Sequence, residues 1–134
     1  MKVRWLDRDT VLAPHMTLCL NEQQFLAAAK HCKLKRPDQW LDVAKQKACV
    51  HTWEANDKLT CVVCLHPDSI KSDPIDVACM LVHEAVHVFQ RLCDSIGEHT
   101  PGREFEAYSV ERIAEQLMRD FVKQTVPKRD AARA

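Results

Sequence analysis

The chain predicts an α+β domain, with a small antiparallel or mixed sheet packed on one long helix and on a following C-terminal helix. Three observations carry this reading. Two apolar runs, residues 48–53 and 59–65, are rich in valine and cysteine, and a polar turn of hairpin length joins them. An apolar segment beginning at Pro74 has a marked start and stop. From Arg103 to about Gln124 the chain is rich in helix formers, with Val110, Ala114, Leu117 and Phe121 on one face.

The elements follow in order. Residues 15–20 read as a short strand, and Asn21 caps a helix over residues 22–30. Pro37 and its polar neighbours interrupt the chain, and residues 39–45 read as a short helix. The two strands come next, joined by the turn at residues 54–58. Asp73 is placed to N-cap the long helix, Pro74 suits its first turn, and Gly97 stops it. The stretch between Gly97 and Gly102 is a turn region, and the C-terminal helix follows. Repeats and low-complexity segments are absent. A chain of 134 residues reads as one domain, residues 1–126, with a frayed tail at 127–134. Such a domain buries roughly two-thirds of its unfolded surface, enough for one sizeable core.

Within the long helix lies His83-Glu84-Ala85-Val86-His87. Positions i and i+4 are about 40° apart around a helix, so two neutral imidazoles can converge on one tetrahedral metal, for which Zn²⁺ is the usual occupant. Glu84 is about 100° from His83, too far round to join the pair as a ligand but able to reach an activated water. This is the HExxH arrangement of zinc peptidases, with the glutamate as general base. Apolar flanks, residues 78–82 before it and Val88-Phe89 after, predict a largely buried helix whose imidazoles need partners.

A third ligand has to come from elsewhere. Neither a glycine at position 90 nor a histidine at position 93 is present, so the extended metzincin pattern is excluded. A glutamate from the next helix would complete a two-histidine, one-carboxylate set. Glu104 and Glu106 both qualify. They differ by about 200° around the axis and cannot ligate in the same way. Glu106 is nearer the apolar face, whereas Glu104 lies one turn before Tyr108, which could support it; local physics leaves the two open.

The run Leu81-Val82-His83-Glu84-Ala85-Val86-His87-Val88, followed by Pro101-Gly102-Arg103-Glu104-Phe105-Glu106-Ala107-Tyr108-Ser109-Val110, resembles the small zincin-like metallopeptidase proteins of tailed phages and prophages. Those proteins pair HExxH with a downstream E-x-x-A-Y helix. The resemblance covers residues 75–118 and extends to the two preceding strands; nothing before about residue 45 carries it. It implies a compact, minimal zincin-like domain, a Zn²⁺ site held by His83, His87 and Glu104, and no particular substrate.

Composition narrows the partners. Nineteen basic and nineteen acidic residues balance, so there is no electrostatic footprint for nucleic acid. No apolar run approaches about 18 residues, and residues 1–7 do not form a signal peptide, so the expectation is a cytosolic protein without membrane attachment, in the bacterial host if phage-encoded. Seven cysteines, an odd number at irregular spacing, suit a reducing compartment. Cys61 and Cys64 stand in a C-x-x-C, but residues i and i+3 of a strand point to opposite faces, and both read as core cysteines. His51 and His66, near strand ends, read as surface residues, and nothing in the sequence assigns a role to His15 or His31.

The mechanism expected is hydrolysis of a peptide or protein, with Glu84 as general base and Tyr108 or His99 as candidate donors to the oxyanion. An edge strand beside the cleft would receive an extended peptide. The alternative is a non-catalytic zincin-fold protein that binds a partner, for instance in virion assembly, with structural zinc. An intact Glu84 favours the enzyme, since a structural site has no use for a base.

Overall fold

The computed structural model describes residues 1–6, 14–55 and 58–126. Through them the chain runs β1 (His15–Cys19), α1 (Glu22–His31), β2 (Ala48–Ala55), β3 (Lys58–Leu65), a 3-10 turn (Pro67–Lys71), α2 (Pro74–Ile96) and α3 (Arg103–Thr125). This is the predicted α+β class. The sheet order is β1-β3-β2, with β1 parallel and β2 antiparallel to the central β3, so the sheet is mixed.

Helices on both faces explain why β3 reads as a continuous apolar run. Leu59, Cys61, Val63 and Leu65 meet α2 and α3 on one face, together with Leu81, Ala85, Val88, Phe89 and Leu117. On the other face Val62 and Cys64 pack with Phe25 and Ala28 of α1 and with Trp40 and Leu41. The two cysteines of the C-x-x-C thus lie on opposite faces, both fully buried, as strand geometry requires.

The predicted caps are in place. Asn21 Oδ1 accepts from Gln24 N at 2.9 Å and starts α1. Asp73 Oδ1 accepts from Ile75 N at 2.7 Å, with Pro74 in the first turn, and starts α2. Gly97 ends α2 at φ 74°, a left-handed conformation that glycine adopts without a Cβ penalty. α3 follows Gly102 without a side-chain cap and docks on α2, where the rings of Phe89 and Phe105 meet at 5.6 Å.

Some boundaries differ from expectation. Residues 39–45 form no helix: Asp42 O accepts from both Lys45 N and Gln46 N, while Asp42 Oδ1 caps Ala44 N and Gln46 Oε1 caps Asp42 N. These local bonds close a turn, and an aspartate that satisfies nearby backbone donors competes with helix formation. The expected turn at 54–58 is shorter, because the strands continue to Ala55 and from Lys58; Asn56 and Asp57 lie outside the described residues. The predicted tail 127–134 lies outside them as well. Pro67–Lys71, unassigned from sequence, is a 3-10 turn capped by His66 Nδ1, which accepts from Asp68 N. Among the described residues no helix is long and apolar enough to cross a membrane.

Leu117, fully buried, anchors α3 to the core. Leu117→Ala is expected to cost about 2–5 kcal/mol in urea unfolding, the range for a buried leucine that leaves a cavity. A loss under about 1 kcal/mol would mean that α3 does not pack as described.

Candidate functional site

The helical period of α2 decides where its chemistry faces. Leu81, Ala85, Val88 and Phe89 are turned inward, and this leaves His83 and His87 on the exposed side. The expectation of buried imidazoles is therefore corrected: the helix is buried along one stripe and the histidines occupy another. They nonetheless converge. His83 Nε2 and His87 Nε2 are 3.2 Å apart, with ring centroids at 4.8 Å. Gln90 Oε1 lies 3.0 Å from His87 Nδ1 and accepts its proton when His87 carries it there, which leaves the Nε2 lone pair free. Gln90 has no counterpart in the sequence reading, although its i+3 spacing from His87 was the available signal.

Glu84 takes the inward course. It is only 6% exposed, among the buried residues of α2. Burial raises its carboxyl above the ordinary range, against the opposing pull of His83 and His87. Glu104 and Glu106 are both exposed on the first turn of α3. Glu106 lines a cleft of about 550 Å³ between α2 and α3 with Val86, Phe89, Gln90 and His99. Tyr108 is 67% exposed, and His99 is exposed at the mouth of the same cleft. Among the described residues no third carboxylate, imidazole or thiol lies within 4.8 Å of both His83 and His87. The structure brings the two histidines together and places neither Glu104 nor Glu106 within ligand distance of both.

β2 runs alongside this helix. Lys47, just before the strand, shares a cleft with Cys79 and Met80 near the start of α2. Further on, Val50, His51, Thr52 and Glu54 share a cleft of about 440 Å³ with Arg91 and Asp94. Arg91 is four residues beyond His87, so the exposed histidine stripe continues into that second cleft. As the outer strand in the order β1-β3-β2, β2 keeps one edge unpaired among the described residues.

A second donor set lies on the far face of the sheet. Cys49 and His51 are two residues apart on β2 and so share a face, and Cys64 stands opposite Cys49 in the β2–β3 register. Their ligand atoms all lie within 4.8 Å of one another, and the group can hold a metal ion. Cys49 Sγ and His51 Nε2 are 3.5 Å apart, and the Trp40 carbonyl lies 2.7 Å from His51 Nε2 and 3.2 Å from Cys49 Sγ. The expectation of a surface His51 is corrected, since it is half-buried against Phe25 at 4.6 Å. Burial pushes its pKa down, but the contacts with Cys49 and the Trp40 carbonyl outweigh this and raise it. A hydrogen bond from the Cys64 thiol lowers Cys49 to about 5, while Cys64, fully buried among other sulfurs, stays a neutral donor. Strand register, which sequence spacing alone does not reveal, is what joins Cys64 to the pair.

The chain matches no family model. No curated protein and no solved structure matches it either.

Glu84 gives a pH test in the metal-free protein. Its folded-state pKa is above the unfolded value, so the wild type is favoured below the unfolded pKa of about 4.3 and loses stability as pH rises through the folded pKa. Glu84→Gln removes that loss. The variant is expected to be more stable than wild type at neutral pH, with the gap closing below about pH 4 in denaturant titrations with a chelator present. A gap that widens on acidification would mean the carboxylate is stabilised where it sits.

Proposed function

We propose that this chain is a zinc-dependent metallopeptidase, in which His83 and His87 hold the ion and Glu84 is the general base. The separation of the two Nε2 atoms carries the reading. Two nitrogens at zinc–nitrogen bond lengths on a tetrahedral ion stand about 3.3 Å apart. The observed 3.2 Å fits with no rotamer change. In the metal-free protein the two exposed rings meet edge to face and their facing nitrogens share one proton, which a bound cation would displace.

Glu104 is the proposed third ligand, on the strength of its place in the E-x-x-A-Y run. Zinc, if held by these residues, would supply a Lewis acid and lower the pKa of a water toward about 7. Glu84, adjacent to the pair and shielded from solvent, takes the proton of the attacking water and returns it to the leaving amine. Burial raises its pKa, the direction that favours holding the proton it accepts. The unpaired edge of β2 is suited to an extended peptide added as a further strand, with main-chain hydrogen bonds supplying much of the affinity. The HExxH arrangement points to a protein or peptide as the substrate class; the resemblance to zincin-like phage proteins adds a bacterial host cytosol and no particular substrate.

Glu84→Gln is expected to keep bound zinc while cutting hydrolysis of an unfolded protein substrate by about 10²-fold or more. Undiminished cleavage in that variant would refute the assigned base. A zinc-loaded wild type that cleaves none of a broad peptide library would favour the non-catalytic, partner-binding alternative. Glu104→Ala is expected to weaken zinc binding sharply and Glu106→Ala to leave it near wild type, as read by competition with a chromophoric chelator. Equal affinities would remove Glu104 from the ligand set.

A further inference from the structure

We infer that Cys49, His51 and Cys64 form a second metal site, separate from the α2 histidines, that takes a thiophilic divalent cation of the zinc class and clamps the edge strand to the sheet. Its donors come from two strands in fixed register, so the site is built by the fold and not by side-chain reach alone. Cys49 and His51 project from β2 to the α1 face, and Cys64 meets them from β3. The spacing agrees with a shared ion. A sulfur and a nitrogen on tetrahedral zinc stand about 3.6 Å apart, and Cys49 Sγ and His51 Nε2 are separated by 3.5 Å.

The fourth position is not empty space. The Trp40 carbonyl accepts the His51 Nε2 proton at 2.7 Å, so a cation would displace that proton and the carbonyl would close the site on its protein side, the arrangement of a structural site. Two sulfurs and an imidazole select soft or borderline ions over magnesium or calcium, which prefer oxygen. His51 also borders the cleft shared with Asp38 and Glu54, which gives an ion a path in and a carboxylate near the ring. Phe25, Trp40 and Leu41 wall the inner side and keep the cysteines from bulk solvent.

The ion would tie β2, whose outer edge is unpaired, to β3 and to the Trp40 segment, which has no helix or strand of its own. A role of this kind leaves the α2 histidines available for chemistry. The two sites differ in one decisive respect: only this one contains sulfur.

Co²⁺ reports that difference. Reduced, metal-free protein titrated with Co²⁺ is expected to develop a near-ultraviolet thiolate-to-cobalt charge-transfer band. Cys49→Ser and His51→Ala, each checked for native circular dichroism, should weaken the affinity read from that band by about tenfold or more. His87→Ala and Cys79→Ser should leave it intact, since neither residue belongs to the group. No band in wild type, or a full band in Cys49→Ser, would overturn the proposal. Independently of any variant, Zn²⁺ should protect Cys49 from iodoacetamide while exposed Cys79 stays reactive; equal labelling of Cys49 with and without Zn²⁺ would also overturn it. Because His87→Ala is scored by the same titration, failure here is distinguishable from failure of the peptidase reading.

Discussion

The docking of α2 on the sheet is the constraint on which the rest depends. Leu81, Ala85, Val88, Phe89 and Leu92 bury one stripe of that helix against β3 and α3, and in doing so they fix the rotation of every other residue on it. With Ala85 and Val88 turned inward, Glu84 is carried under cover and His83 and His87 face out together. A helix rotated by one residue, about 100°, would bury an imidazole and expose the carboxylate. The apolar residues around the motif therefore do more than fill a core, because they separate the buried carboxylate from the exposed imidazoles.

The sheet separates two candidate donor sets, one on the α2 side and one on the α1 side. On the α2 side the two imidazoles stand on an exposed helix stripe, and the open cleft at the β2 edge, lined by Arg91 and Asp94, reaches His51 as well. On the α1 face, sulfur donors are enclosed by Phe25, Trp40 and Leu41, an arrangement suited to permanence. β2 links them. Its alternate side chains belong to opposite faces, so an ion that fixes Cys49 and His51 would also fix the strand that meets Arg91 and Asp94 of α2.

Features set by nearby residues were legible in the sequence. Asp73 and Gly97 delimit α2 because caps act within a turn, and the i,i+4 histidines converge because helix geometry is local. The opposite facing of Cys61 and Cys64 followed from the strand period for the same reason. What depends on distant parts of the chain was not legible. The parallel pairing of β1 with β3 across an intervening strand, and the register that sets Cys64 opposite Cys49, are decided by packing between segments far apart. His51 was misread as a surface residue because a histidine near a strand end gives no sign of Phe25 and Trp40 closing over it. The expected helix at 39–45 failed on a local detail, the bonds around Asp42, which a propensity count does not weigh.

The central claim is that His83 and His87 share a metal ion. Its most direct test is the metal content of protein purified without added metal, by elemental analysis, for wild type and for His87→Ala. The account predicts zinc in wild type and about one zinc less per chain in the variant. Equal zinc in the two proteins, or none in wild type even after reconstitution, would contradict it and leave the convergent imidazoles as a pattern on a helix surface.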